Sequence, residues 1–204
     1  MVNNIIKKKE AFNKLPFFIS YLITDPDEYG STLESFSKNL TNTLQNNHID
    51  MVCFRDKKTK NIKHLAKACL NISKEFGISK ILINTDINLA VELDFDGVHL
   101  TSNQFDKINL AKEHNLYTVI SCHTETEIKM AKELKTNIAT YSPIFYKENK
   151  GKPKGLHNLE NIVTKYQDDS FSIIALGGII TKEHIEKIKQ TNCKGFASIR
   201  YFNI

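Results

Sequence analysis

The sequence predicts an α/β chain folded as a single (β/α)8 TIM barrel, and two observations predict it. Short apolar runs alternate with amphipathic helical patterns throughout the 204 residues, and eight such runs recur about every 25 residues. No linker or shift in composition interrupts the alternation, so residues 1–204 read as one domain. This count and rhythm favour a closed barrel over an open doubly wound sheet.

The expected strands are residues 18–24, 50–55, 80–84, 97–100, 117–121, 138–141, 172–175 and 195–199. Between the second and third lies Ile62, Leu65, Ala66, Cys69, Leu70 and Ile72, an apolar face at helical spacing. After the fifth, Thr124 with Glu127 three residues on forms a capping box that opens a helix over 124–134. A further helix is expected over 181–189. Residues 1–17 precede the first strand and are expected to form an N-terminal helical extension closing the barrel bottom. The sequence runs only a few residues past the eighth strand, so the expected C-terminus is shortened, with the eighth helix missing or reduced to one turn.

With 41% hydrophobic and 25% charged residues, the chain has enough apolar matter for a packed core and is no disordered or fibrous protein. The net charge of +5 comes from scattered lysines. No basic run is interleaved with aromatics, so nucleic acid is not an expected partner. Lys7, Lys8 and Lys9 after Ile5 and Ile6 read as a solvated helix face. Cys53, Cys69, Cys122 and Cys193 have no C-x-x-C spacing, which fits reduced thiols in a cytoplasmic protein. There is no signal-peptide h-region and no apolar stretch of membrane-spanning length, so no membrane partner is expected; a homo-oligomer stays open.

Of the 28 basic residues only Arg55 and Arg200 are arginine, and each closes an expected strand. The C-terminal edge of a parallel barrel is where ligands bind, and a guanidinium fork there suits a phosphate or carboxylate. A surface or salt-bridged arginine is the plain alternative. Gly177 and Gly178, in the run Ala175-Leu-Gly-Gly-Ile179, follow strand seven, while Ser198, Ile199 and Arg200 follow strand eight. The loops after the last two strands form the usual phosphate site of barrels, and paired glycines expose their amides to an anion. A tight turn would use the same glycines.

The segment from Ser142 to Gly155 carries Lys147, Lys150, Lys152 and Lys154 and reads as a loop able to close over a phosphorylated ligand, or simply as a solvated loop. His123, after strand five, is a candidate general acid/base. Cys122 beside it is not expected to act with it, because neighbours at a strand end point to opposite faces. His99 lies inside strand four, as fit for a structural role as for a functional one. No His, Cys, Asp and Glu set has metal-ligand spacing.

The motifs Tyr21-Leu-Ile-Thr24, Phe54-Arg55-Asp56-Lys57, Ile83-Asn84, Asp96-Gly-Val-His-Leu100, Ser121-Cys-His-Thr124, Ser142-Pro-Ile-Phe145, Gly155-Leu156 and Ala175-Leu-Gly-Gly-Ile179, in that order, resemble the thiamine phosphate synthase and TenI superfamily. The resemblance covers nearly everything from residue 18 onward. It implies a barrel whose mouth binds thiazole phosphate and, in the synthase, an aminopyrimidine pyrophosphate with magnesium. By that resemblance Arg55 and Lys57 match residues that hold the pyrophosphate, Lys150 matches the lysine that closes the loop after Pro-Ile-Phe, and Asn84 joins the binding set.

Several positions depart from the synthase pattern. Cys53 stands where a Gln is expected, and Lys147 and Asn149 replace two loop threonines. Thr85 replaces the Asp that follows the Asn of the third motif. The run Thr101-Ser102-Asn103-Gln104 lacks the second metal-binding Asp; Asp86 and Asp106 are nearby but out of register. Losing two hard oxygen ligands argues against magnesium. What survives resembles the TenI-like branch, whose implied reaction is metal-independent tautomerisation of a phosphorylated thiazole. The expected roles are His123 and Arg55 in catalysis, and Lys57, Asn84, Lys150, Gly177, Gly178, Ser198 and Ile199 in binding. No metal ligand and no cofactor is expected, or magnesium if the protein is a synthase. The alternatives are a magnesium-dependent synthase, with Asp86 or Asp106 taking over metal binding, and a non-catalytic thiazole or thiamine phosphate sensor.

Overall fold

The computed structural model describes residues 15–148 and 151–203. Eight parallel strands close into a barrel in chain order, with β1 paired to both β2 and β8. They are β1 (Ile19–Ile23), β2 (Met51–Phe54), β3 (Lys80–Asn84), β4 (Gly97–Leu100), β5 (Tyr117–Cys122), β6 (Ile138–Tyr141), β7 (Ser172–Leu176) and β8 (Gly195–Ser198). Each expected strand is present, with ends shifted by no more than one residue.

The helices are α1 (Pro26–Tyr29), α2 (Leu33–Asn46), α3 (Lys63–Glu75), α4 (Ile87–Leu93), α5 (Ile108–Glu113), α6 (Glu125–Glu133), α7 (Gly155–Tyr166) and α8 (Lys182–Lys189). The capping box forms as expected: Thr124 Oγ1 accepts from Glu127 N at 3.2 Å, and Glu127 reaches back to the Thr124 amide at 2.9 Å. Thr181 Oγ1 caps α8 by accepting from His184 N at 3.1 Å. After β8 the described residues end in a 3₁₀ turn, Tyr201–Asn203. The N-terminal extension expected over 1–17 lies outside the described residues as far as residue 14; residues 15–18 enter β1 without helix.

The strands are apolar on both faces because both faces are covered. Alternation of side chains divides the core in two. Leu22, Val52, Ile81, Val98, Ile120, Ala139, Ile173 and Phe196 face outward onto the helices. Ile19, Tyr21, Met51, Cys53, Leu82, Val119, Ile138, Ile174 and Ala197 fill the barrel interior. Gly97 and Gly195 have no room for a β-carbon, which would lie within 2.2 Å of a neighbouring strand's carbonyl oxygen. All four cysteines are free and buried. Among the described residues no helix is long and apolar enough to cross a membrane.

Candidate active site

Continuing the inward alternation up each strand brings one set of side chains to the barrel mouth. From the interior positions Cys53, Leu82, Val119 and Ile138, steps of two reach Arg55, Asn84, Ser121, His123, Thr140 and Ser142. On β7 and β8 the same steps reach Leu176 and Ile199, both packed on the inner core. The mouth is thus polar over β2–β6 and apolar over β7–β8, with the glycine loop above the apolar part.

Arg55 is held in place at both ends. Its N–H donates to Thr24 Oγ1 at 2.9 Å, and its guanidinium Nη1 donates to the Asp25 carboxylate. Asp25 also caps α1 by accepting from Asp27 N at 3.1 Å. This ion pair is about four-fifths buried, with 23% of the Arg55 side chain and 18% of the Asp25 side chain exposed. One edge of the fork is therefore occupied, and the remaining donors of the five-donor guanidinium stay available. Asp25 is a site residue that the sequence reading missed; its position right after Thr24, at the strand end adjoining Arg55, is the signal it offered.

His123 is oriented by β6. Its Nδ1 lies 3.1 Å from the Ser142 carbonyl oxygen and 3.1 Å from Ser142 Oγ. A carbonyl can only accept, so in the neutral imidazole Nδ1 carries the hydrogen and Nε2 keeps its lone pair. The His123 amide is tied to the Glu127 carboxylate at the start of α6. Cys122, one residue earlier, is buried on the outward face, and burial pushes its thiol well up; it takes no part at the mouth. Asn84 Nδ2 donates to the His99 carbonyl at 2.8 Å, which braces β3 against β4.

The rim over β7 and β8 is made of backbone. Gly177 and Gly178 have φ of +94° and +72°, a region that glycine enters without strain. Together with Ile179, Ser198, Ile199, Arg200 and Lys147 they line a small cavity of about 40 Å³. Among the described residues, the Gly178 and Ile179 amides donate to no protein acceptor. Ser198 Oγ donates to Ile179 O at 2.8 Å and accepts from Tyr201 N at 3.2 Å, so its hydroxyl holds the two loops together. The glycines have a second duty. A β-carbon at Gly178 would come within 2.6 Å of Tyr146 O, and one at Gly177 within 2.9 Å of Pro143 Cα. The loop after β6 thus lies directly on this rim, bonded through Phe145 N to Gly177 O at 3.0 Å, with Phe145 stacked on His184 at a centroid distance of 4.0 Å.

Other expected residues stand further off. Lys57 is exposed on the loop beyond Arg55, Arg200 is exposed at the cavity edge, and Lys150 lies outside the described residues.

Over β3 and β4 the rim carries a different chemistry. Thr85 donates through Oγ1 to Asn84 O at 2.7 Å and sits at φ +68°, a conformation costly for a β-branched residue. Gln104 bridges the two loops: its Nε2 donates to Thr85 O at 3.1 Å, and its Oε1 accepts from both Thr101 N and Thr101 Oγ1 at 3.1 Å. Asp86 is spent capping α4, accepting from Leu89 N at 2.9 Å, and Asp106 is an exposed partner of Lys107 at 3.2 Å. Among the described residues no three His, Cys, Asp or Glu side chains form a metal-ligand cluster. A magnesium ion needs several convergent hard oxygens, and this rim, with its carboxylates turned to other partners, does not fit it.

Residues 20–202 match the family model described as "Thiamine monophosphate synthase". A relative named "Putative thiamine-phosphate synthase 2", from Aquifex aeolicus (strain VF5), is 30% identical over 187 residues, covering 89% of this chain and 96% of its own. The thiamine-phosphate synthase of Latilactobacillus sakei is 32% identical over 124 residues, 58% of this chain and 54% of its own. Among solved structures, a thiamine phosphate pyrophosphorylase from Pyrococcus furiosus superposes with a TM-score of 0.75 at 21% identity, covering 93% of this chain and 87% of that one; that likeness speaks to the fold.

Proposed function

This chain belongs to the thiamine monophosphate synthase family, whose members serve thiamine biosynthesis, and within it we propose a thiazole tautomerase that binds a phosphorylated thiazole carboxylate and works without a metal. The observation that carries this reading is the pairing of an oriented imidazole, His123 with Nδ1 held against the Ser142 carbonyl, with a β3–β4 rim whose carboxylates do not converge. A tautomerisation needs an anion anchor and a proton carrier; pyrophosphate displacement also needs its leaving charge neutralised.

In this mechanism the ligand phosphate lies against the amides of Gly178 and Ile179, with Ile199 beneath and Ser198 holding the loops in register. The charge there is met by oriented backbone dipoles. Arg55, steadied by Asp25, takes the carboxylate with its free donors. His123 Nε2 accepts a proton from the non-aromatic ring. The electrons of the broken C–H bond enter the conjugated system, and a proton is returned at its other end. Nothing is oxidised or reduced, and formation of the aromatic ring drives the reaction. Asn84 shapes the far wall through its bond to His99 O, while Lys57 adds positive charge on the loop beyond Arg55.

The test is conversion of the non-aromatic thiazole carboxylate phosphate to its aromatic tautomer, followed by absorbance with EDTA present. The wild type is expected to turn over, and His123→Asn to lose about 10²- to 10⁴-fold in kcat with binding nearly kept. No turnover by wild type, or turnover only after magnesium is added, overturns the reading. The names of the relatives favour one alternative, a synthase joining thiazole phosphate to an aminopyrimidine pyrophosphate. Magnesium-dependent formation of thiamine phosphate would establish it. Binding of thiazole phosphate with neither turnover would mark a sensor.

A further inference from the structure

Beneath the mouth, three side chains cross the barrel interior from β1 to β5. Tyr21 on β1 is fully buried, and its Oη lies 2.9 Å from His99 Nδ1 on β4. The two rings also stack, at a centroid distance of 5.7 Å and an angle of 27°. On the far side of the imidazole, Nε2 lies 3.0 Å from Ser121 Oγ on β5. The Cys53 thiol, on β2, lies beside the phenol, with its Sγ donating to the Phe54 carbonyl at 3.7 Å. The roles given to His123, Arg55 and the glycine loop use none of these four.

The protonation of the chain follows from its surroundings. Burial, and to a lesser degree the Arg55 charge, pushes His99 down to about 3, so the ring is neutral and carries one N–H. Burial keeps the Tyr21 phenol protonated and raises the Cys53 thiol to about 12. The phenol proton has two acceptors to choose from: a neutral imidazole nitrogen and a thiol sulfur, which is a weak acceptor. Tyr21 therefore donates to Nδ1. That leaves the ring hydrogen on Nε2, where it donates to Ser121 Oγ, and the Ser121 hydroxyl proton must point away from His99. Both bonds to the imidazole then run the same way, from Tyr21 through His99 to Ser121.

A second observation lies on the next strand. Thr140 pairs with Ser121 in the β5–β6 register and shares its inward direction. Its Oγ1 is completely buried and has no hydrogen-bond partner, a costly arrangement in a folded chain. Two hydroxyls thus stand side by side just below His123, one fixed as a donor and one unsatisfied.

We infer that Tyr21 and His99 form a tautomer lock that presents Ser121 Oγ, beside Thr140 Oγ1, as a hydrogen-bond donor to an anionic oxygen of the bound ligand. Tyr21 and His99 are positioning residues, and Ser121 touches the ligand. The identity of that ligand as a thiazole carboxylate phosphate rests on the function proposed above; the lock itself does not.

The lock is read by long-range ¹H–¹⁵N correlation spectra of the ligand-free protein, with His99 assigned by the signal lost in His99→Gln. The expected result is a protonated Nε2 and bare Nδ1, unchanged from pH 5.5 to 8.5, and loss of that single tautomer in Tyr21→Phe. A protonated Nδ1 in wild type, or an unchanged ring in Tyr21→Phe, overturns the lock.

Calorimetric titration with the aromatic thiazole carboxylate phosphate reads its consequence. Tyr21→Phe and Ser121→Ala are each expected to weaken binding by roughly 3- to 10-fold, the scale of one hydrogen bond. The double variant should bind no worse than Ser121→Ala, because Tyr21 acts through Ser121. Additive losses overturn the positioning role. A wild type that binds no thiazole overturns the substrate reading and Ser121's part in it, while the spectra still decide the lock.

Discussion

The β7–β8 rim and the β3–β4 rim face each other across one barrel mouth, four strands apart, and they are built of different material. Over β7 and β8 the chain offers bare backbone, with two glycines at positive φ lining a small cavity. Over β3 and β4 it offers side chains already bonded to one another, with Gln104 spanning the loops and Thr85 held beneath. The first rim leaves the Gly178 and Ile179 amides without an acceptor among the described residues; the second is satisfied from within. Two rims of one barrel can differ in this way because each is a separate pair of loops on a common scaffold.

Gly178→Ala attacks the open rim and should give the largest effect. The added β-carbon meets the Tyr146 carbonyl at 2.6 Å in a left-handed conformation. Such strain costs about 1–3 kcal/mol, so thermal melting should fall and phosphorylated thiazole should bind at least tenfold more weakly (about 1.4 kcal/mol). Wild-type stability and affinity in this variant would mean that the loops do not rest on each other and that the rim is no anion site.

Acid should sharpen the contrast from the other side. The His99 carbonyl accepts from Thr85 N at 3.0 Å as well as from Asn84, so the β3–β4 rim is organised around this buried, neutral histidine. Its folded value of about 3 lies below the unfolded value of about 6.5. Below pH 6.5 the unfolded chain binds a proton that the folded chain refuses, so stability is lost as pH falls from about 6.5 toward about 3. The slope approaches 1.4 kcal/mol per pH unit for this one group. Denaturant unfolding at pH 7, 6 and 5 reads it, and His99→Gln should remove that share. An identical pH dependence in the variant would show that His99 titrates normally.

Gln104→Ala should have the smallest effect. Losing the bridge costs about 1–2 kcal/mol of stability, seen as faster hydrogen exchange at Thr85 and Thr101, with kcat and the response to EDTA unchanged. If this variant fails in catalysis as badly as Gly178→Ala fails in binding, the two rims are not functionally distinct.

Much of this was legible along the chain. The barrel followed from the alternation of apolar runs and helical patterns, and the Thr124–Glu127 box opened its helix where the sequence put it. The glycine pair and Arg55 fell at strand ends, so their rim could be named in advance. Those signals are local: the period of a strand or helix and a cap three residues wide are set by nearest-neighbour physics. Strand parity by itself puts Ser121 and His123 on one face of β5 and Cys122 on the other.

Which inward side chains meet is another matter. Tyr21 and His99 are 78 positions apart, Arg55 and Asp25 30, and Ser142 and His123 19. The glycines' contact with the loop after β6, and Gln104's amide bridge between the β3 and β4 loops, are equally silent in the sequence. Those pairings exist because β8 closes onto β1 and fixes the stagger of every strand against the next. A register shift of one residue would turn each of these side chains to the opposite face. The sequence determined which residues could face inward; closure of the barrel decided which of them touch, and with that the tautomers of both histidines.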